Sequence, residues 1–94
     1  MEGTEKQRVV LSIFGEEYPV RTTTSPEHLQ KLARVVDRVM RETAKAHPRL
    51  GTNRVAVLAA LNIADELVRL QEQYDRLTAM LEDEWGRRQA GAKD

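Results

Sequence analysis

The feature that most constrains this chain is an unbroken stretch from Thr52 to Trp85 that contains no proline and no glycine. Its apolar residues recur at alternating spacings of three and four, which is the repeat of a coiled-coil helix. Together with the neighbouring tryptophan they form what we call the seam: Ala60, Ile63, Leu67, Leu70, Tyr74, Leu77, Leu81 and Trp85. Because a seam on a lone helix would be a large exposed apolar patch, the sequence predicts that the chain forms an oligomer.

The residues before this stretch predict a β-hairpin. The segment 8–22 contains two short apolar runs that flank Gly15 and Glu16, and a Gly-X pair is typical of a two-residue type II′ turn. That turn would place Ile13 opposite Tyr18, with the apolar side chains of both strands on one face. The sequence therefore predicts a hairpin with one face suited to packing against a helix.

A helix is predicted to follow the hairpin. Ser25 before Pro26 is a favourable helix start, and the residue before Pro48 is pushed out of the helical region, so the helix should span 25–46. The long helix would begin near Thr52. The predicted fold class is thus α+β: an N-terminal β-hairpin plus helix head, followed by a long C-terminal helix that forms a coiled coil in an oligomer.

The predicted domain organisation has four parts. They are a flexible N-terminus over 1–7, a head over 8–64 (hairpin 8–22, helix 25–46 and the start of the long helix 52–64), a coiled-coil extension over 65–85, and a flexible tail over 86–94. The start of the long helix carries a second apolar flank with Val55, Val57 and Leu61, which would pack inside the head. A head of roughly 50 residues can form only a marginal core, so self-association would add to its stability.

Composition narrows the classes of function. The 15 basic and 15 acidic residues balance, which disfavours a nucleic acid or a membrane surface as the main partner. The chain has no cysteine and two histidines, too few for a structural metal site. His28 and His47 would lie at opposite ends of one helix, and the sequence has no recognisable nucleophile motif or phosphate-binding loop. We therefore expect a non-catalytic cytoplasmic protein without a metal, a cofactor or a small-molecule substrate.

Positive charges follow one side of the predicted first helix. They form what we call the stripe, at spacings of three and four: Lys31, Arg34, Arg38, Arg41 and Lys45. A row of cations on a rigid helix suits an acidic peptide or an acidic patch of a filament, and Arg21 on the hairpin would extend the same surface. The alternative is a solvated face whose charges pair locally, as Glu27 with Lys31 and Asp37 with Arg41. Spacing alone leaves both interpretations open and favours the second.

Two segments resemble a known family. The run VVLSIFGEEYPVRT over 9–22, and LGTNRVAVLAALNIADEL over 50–67 after the first helix, closely resemble the ZapA family of bacterial cell-division proteins. The resemblance covers roughly residues 8 to 70, and AVLAALNIADEL is its most specific part. It implies heads that dimerise, long helices that pair into a homotetramer, and no enzymatic activity or cofactor. It also implies the partner, filaments of the tubulin-like protein FtsZ, which the protein would bind, cross-link and bundle at midcell.

One departure from the family pattern bears on the contact surface. Family members often carry basic residues in and after the hairpin turn, whereas Glu16 and Glu17 stand there in this chain. The predicted filament contacts are therefore the stripe and Arg21. Two other functions remain as alternatives: a coiled-coil adaptor with another partner, and a DNA-binding protein of the ribbon-helix-helix type. The second is disfavoured because the chain makes its own hairpin and has no net charge.

Overall fold

The structure, a computed structural model, describes residues 6–92, and the side chains of residues 6–89. Its elements are two strands and two helices: β1 (Gln7–Ile13), β2 (Glu16–Thr22), α1 (Pro26–Ala46) and α2 (Thr52–Ala92). The α+β class, with a hairpin, a first helix and one long helix, is confirmed. β1 begins inside the segment predicted to be flexible, of which residues 1–5 lie outside the described residues.

The two strands pair antiparallel with a register two residues away from the predicted one. Ile13 lies opposite Glu16 instead of Tyr18, so Phe14 and Gly15 are the central residues of the turn. Both have a positive φ, 52° at Phe14 and 82° at Gly15, and positive values at both positions are the mark of a type I′ turn. The predicted type II′ turn and its register are therefore wrong.

The apolar face of the hairpin is nevertheless the predicted one. Successive side chains of a strand alternate between its two faces, so a shift of two residues keeps every side chain on its own face. Val9 lies opposite Val20 and Leu11 opposite Tyr18, and all four share one face with Ile13. The face that the sequence indicates for packing therefore survives the error in register.

α1 begins and ends where the capping signals predict. The Ser25 Oγ accepts a hydrogen bond from the His28 N–H at 3.0 Å, and Pro26 occupies the first turn. This bond satisfies one of the N–H groups that a helix start leaves without an intrahelical partner. At the other end, the His47 N–H donates to the Thr43 carbonyl at 3.0 Å. Local sequence thus bounds this helix of 21 residues.

The core of the head lies where α1 packs against β1. Its members are the buried Val9, Leu11 and Ala33, with the partly buried Ile13, Val20 and Leu29 around them. A fully buried large apolar side chain contributes roughly 1.5–3 kcal/mol, so in a core of this size the polar tethers between α1 and the hairpin matter. One such tether is the Gln30 side chain, whose Nε2 donates to the Val10 carbonyl at 3.2 Å.

α2 is a single helix of 41 residues that continues beyond its predicted end. The sequence predicts a flexible tail from Gly86 onward, whereas the helix runs to Ala92, and residues 93–94 lie outside the described residues. A glycine inside a helix costs about 1 kcal/mol relative to alanine, which is too little to end a long helix. The ion pair between Asp83 and Arg87, 2.9 Å long, spans the glycine and supports this turn. For residues 86–92 the structure thus differs from the prediction.

The chain divides into two compact units between Asn62 and Ile63, within α2. The first unit holds the hairpin, α1 and the first turns of α2, where Val55 and Ala59 are buried one helical turn apart. The second unit is the remainder of α2. No helix within the described residues combines the length and the apolar composition that crossing a membrane requires.

Two glycines give opposite expectations for the same substitution. A Cβ added at Gly15 or at Gly86 meets no atom within 4 Å, so space limits neither position. Gly15→Ala is expected to lower the free energy of unfolding by about 1–2 kcal/mol, because a side chain disfavours the left-handed backbone conformation. Gly86→Ala is expected to raise it by about 0.5–1 kcal/mol, the preference of a helix for alanine. Urea unfolding at one fixed protein concentration measures both, and effects of the same sign would contradict these backbone conformations.

Candidate functional site

The stripe forms one exposed face of α1. All five of its residues are exposed, and the buried residues Ala33, Val39, Met40 and Thr43 lie on the other side of the helix. Because residues three and four apart are neighbours on a helix surface, the five charges make a continuous row. The core of the head holds α1 in place, so the row is presented on a fixed element.

Two of the five charges are paired along the helix. The Arg41 Nε lies 3.0 Å from the Asp37 Oδ2, and the Arg38 Nη1 lies 3.4 Å from the Glu42 Oε1. The Arg38–Glu42 pair is exposed on both sides, and such a pair contributes little to stability because solvent screens it, so Arg38 can exchange Glu42 for another anion at small cost. The Asp37 side chain is less exposed, at 29%, and it has a second partner in the hairpin.

The remaining charges of the stripe are without such neighbours. The predicted pair of Glu27 with Lys31 is absent from the described residues, where the Glu27 carboxylate instead accepts from the Ser25 Oγ at 3.4 Å. Among residues 6–89, three members of the stripe make no ion pair: Lys31, Arg34 and Lys45. Local pairing thus accounts for two members of the stripe and not for the other three.

Arg21 lies on the hairpin, in β2, and not on the same element as the stripe. Its cross-strand neighbour is Arg8, and both side chains are exposed. The adjacent Val20 lies on the face of the hairpin that packs toward α1, so Arg21 lies on the opposite face. The described structure thus has two groups of exposed cations, the stripe on α1 and the Arg8–Arg21 pair across the hairpin. That the two groups form one surface stays a prediction.

Asp37 connects α1 to the hairpin turn, a contact that the sequence does not indicate. The Asp37 Oδ1 accepts a hydrogen bond from the Phe14 N–H at 2.7 Å. Phe14 has a φ of 52°, in the left-handed region that costs a residue with a side chain about 1–2 kcal/mol. A hydrogen bond to a carboxylate is roughly twice as strong as a neutral one and offsets this cost. No pattern within either segment signals the contact, because its partners belong to different elements.

The same neighbours keep the Asp37 carboxyl ionised. The hydrogen bond from the Phe14 N–H, and after it the Arg41 side chain, lower the pKa of Asp37 from its ordinary value of 3.8. A carboxyl whose pKa is lowered by folding binds fewer protons in the folded state than in the unfolded state. It therefore stabilises the fold above its ordinary pKa, and this contribution is lost as the pH falls through the folded value.

We therefore expect Asp37→Asn to destabilise the head at neutral pH but not in strong acid. The difference in free energy of unfolding between wild type and variant should shrink as the pH falls below 3.8, because a protonated carboxyl resembles an amide. Urea unfolding over a pH series measures this difference, and the Phe14 amide signal in NMR spectra reports the hydrogen bond. The control is Asp65→Asn, which breaks an exposed pair with Arg69, 2.9 Å long. A difference independent of pH would contradict the role of the ionised carboxylate.

The seam is open to solvent in the single chain. Its large side chains are between 55% and 69% exposed: Leu67, Leu70, Tyr74, Leu77, Leu81 and Trp85. Of the other two members, Ala60 is exposed and Ile63 partly buried. A contiguous apolar surface of this kind is typical of an interface between proteins. The geometry therefore supports pairing of chains through the seam.

A second exposed apolar strip lies at the start of α2. The sequence predicts that this half of the helix packs inside the head, and Val55 is buried, as is Ala59. Val57 and Leu61, on the other side of the helix, are each 60% exposed. The prediction thus holds for one side of the helix and is wrong for the other, which adds an apolar surface suited to self-association.

Neither histidine takes part in a candidate site. His28, in the first turn of α1, and His47, just after its last turn, are both exposed. The described residues contain no group of three or more histidine, cysteine, aspartate or glutamate side chains placed to hold a metal ion. The functional candidates are therefore surfaces: the stripe, the Arg8–Arg21 pair and the seam.

Known proteins share both this fold and this sequence pattern. The family described as "Cell division protein ZapA" matches residues 9–91. A cell division protein ZapA of Geobacillus thermodenitrificans is 40% identical over 94 residues, which cover 100% of this chain and 98% of the relative. One of Halalkalibacterium halodurans is 46% identical over 68 residues, which cover 72% of this chain and 75% of the relative. The similarity thus extends over head and seam alike.

Two solved structures are similar to the chain as well. A ZapA mutant dimer from Geobacillus stearothermophilus has a TM-score of 0.66 and 36% identity, and the match covers 87% of this chain and 95% of that one. An unknown conserved bacterial protein from Pseudomonas aeruginosa has a TM-score of 0.67 and 30% identity, with 85% and 87% covered. The first of these structures is a dimer.

Proposed function

The chain belongs to the ZapA family of cell division proteins, and on that premise we propose that it binds, cross-links and bundles filaments of the tubulin-like division protein FtsZ. It acts in the cytoplasm, at the midcell division site, without catalysis and without a cofactor. The observation that carries the proposal is the similarity to the family, which spans nearly the whole chain. FtsZ is the partner that membership of this family implies.

Cross-linking requires at least two filament-binding surfaces in one particle. Each chain carries one stripe and one Arg21, which we take to contact the same filament, so a single chain binds a filament without joining it to another. A homodimer or homotetramer held by the seam presents several stripes, and linked sites reinforce each other because the second binds at a high effective concentration. The exposed seam therefore supports the proposal as directly as the stripe does.

We assign the filament contact to the stripe and, separately, to Arg21. The three members of the stripe without an ion pair among residues 6–89 are available to acidic groups on a filament. The end of the hairpin is less suited, since Glu16 and Glu17, directly after the turn, are acidic and exposed. This assignment keeps the contacts that the sequence predicts, on α1 and on β2 of the head.

Two other functions compete for the same fold. A coiled-coil adaptor shares every structural feature and differs in what the stripe binds. A DNA-binding protein of the ribbon-helix-helix type would place the outer face of the hairpin in a groove of the duplex. That face carries Arg8 and Arg21 but also the acidic Glu17, and Glu16 precedes it at the start of β2, which opposes contact with phosphates.

Sedimentation of FtsZ polymers assembled with GTP, with and without this protein, tests the proposal. We expect the protein to pellet with the polymers and light scattering to rise as bundles form. FtsZ kept unassembled with GDP is the control, in which the protein should remain in the supernatant. A protein that stays in the supernatant with assembled polymers, while keeping its oligomeric mass, would reject FtsZ filaments as the partner and favour the adaptor.

A further inference from the structure

Arg41 and Arg38 are both paired along α1, but through different nitrogens. Arg41 donates from Nε to both carboxylate oxygens of Asp37, at 3.1 and 3.0 Å. Arg38 donates from Nη1, at the outer end of its guanidinium, to the Glu42 carboxylate at 3.4 Å. Arg41 therefore keeps both terminal NH2 groups without a partner among residues 6–89, whereas one terminal group of Arg38 is occupied.

The carboxylate that holds Arg41 is itself anchored. The Asp37 Oδ1 also accepts the Phe14 N–H at 2.7 Å, and its side chain is 29% exposed. The Glu42 side chain, which pairs with Arg38, is 64% exposed and makes no second hydrogen bond among the described side chains. An anchored carboxylate restricts the guanidinium of Arg41 to one orientation, while Arg38 and Glu42 retain the freedom of two exposed side chains.

We propose that Arg41 is the carboxylate-binding residue of the stripe, and that Asp37 is the positioning residue that presents it. The inference rests on the proposed function, since the carboxylate would belong to an aspartate or glutamate side chain of the filament. The outer end of an arginine carries two parallel N–H donors that match the two oxygens of a carboxylate. Arg41 thus makes a bidentate contact that fixes orientation, while the other cations of the stripe attract without fixing it.

This arrangement predicts that the substitution Asp37→Asn changes filament binding in the direction opposite to the one that its charge alone would give. A negative charge within the stripe weakens its attraction to an acidic partner, so electrostatics alone predict that Asp37→Asn strengthens binding. A positioning role predicts that the same change weakens binding, because Arg41 loses the anchor that orients it. The two accounts therefore differ in sign, and a purely structural effect of Asp37 would leave Arg41 and Arg38 equivalent.

Co-sedimentation with GTP-assembled FtsZ polymers over a range of polymer concentrations tests the inference. We expect Arg41→Lys to lower the affinity on the order of tenfold, the loss of one charge-assisted contact, and Arg38→Lys, the same chemical change, to have little effect. Asp37→Asn should also lower the affinity. Circular dichroism and the oligomeric mass from light scattering show whether each variant folds and assembles like the wild type.

Equal losses for Arg41→Lys and Arg38→Lys, or tighter binding by Asp37→Asn, would overturn the inference and leave the proposed function intact. Wild-type protein that fails to pellet with the polymers would reject the proposed function and this inference with it. Should Asp37→Asn fail to fold, the comparison of Arg41→Lys with Arg38→Lys still tests the inference. Both variants should fold, because lysine is nearly as good a helix former as arginine.

Discussion

Leu70→Glu combined with Leu77→Glu is expected to abolish pairing through the seam and to lower the molecular mass in solution. The two leucines are 64% and 55% exposed in the single chain and become buried when a second copy covers them. Full burial of a leucine is worth roughly 1.5–3 kcal/mol, and an unpaired carboxylate in the same place opposes burial by several kcal/mol more. The head should stay folded, because its core residues lie outside this part of α2.

Light scattering after size exclusion measures the mass, and the Phe14 amide signal reports the integrity of the head. The control is Arg76→Gln with Ala79→Glu, which changes the net charge by the same amount at exposed positions outside the seam. We expect the leucine variant to have a lower oligomeric mass and to lose the ability to bundle FtsZ polymers. The control should keep the wild-type mass and the bundling. An unchanged mass in the leucine variant would show that the seam is not the interface.

Reversing the charge at Arg34, Arg38 and Arg41 together is expected to remove binding to FtsZ polymers without changing the mass. Glutamate at these positions turns attraction into repulsion across the exposed face of α1. If each reversal costs on the order of 1 kcal/mol, the affinity falls on the order of a hundredfold. Co-sedimentation at low and at physiological salt measures this, and the loss should be larger at low salt, where charges are screened less.

The matched control reverses Arg69, Arg76 and Arg87 on α2, the same change of charge on another helix. Arg69 and Arg87 are paired with Asp65 and Asp83, much as two of the three residues in the stripe variant are paired along α1. We expect this control to keep most of its filament binding. Equal losses of affinity in the two variants would show that the net charge of the protein, and not the position of the charges, determines filament binding. Full binding by the stripe variant would indicate the Arg8–Arg21 pair as the filament contact instead.

The parts of the fold that can be predicted from the sequence have local causes. Ser25 and Pro26 start α1 because the serine side chain satisfies a backbone N–H three residues on. The turn could not be predicted in the same way. A Gly-X pair favours glycine as the first central residue, yet the structure places Phe14 there, at a positive φ. The Asp37 carboxylate, which belongs to another element, accepts the Phe14 N–H and so offsets the free-energy cost of that conformation.

In the candidate site, too, features with a cause inside one element can be predicted from the sequence, and features that depend on contacts between elements cannot. The stripe follows from spacing alone, because its five residues belong to one helix and share one face. Where Arg21 lies relative to the stripe depends on which side of α1 meets the hairpin, and this follows from the packing of Ala33 with Val9 and Leu11. The anchoring of Asp37, the partner of Arg41, depends on its hydrogen bond from Phe14, which no spacing within α1 contains.

By itself the sequence determined the order of the elements, the faces of the hairpin, the limits of α1, the seam and the stripe. Each of these follows from the backbone geometry of a single element, which repeats every two residues in a strand and every 3.6 in a helix. The tertiary structure alone decided the register of the turn, the pairing of Arg21 with Arg8 across the hairpin and the anchoring of Asp37. These depend on contacts between elements, such as the 2.7 Å hydrogen bond from Phe14 to Asp37, and such contacts exist only once the chain has folded.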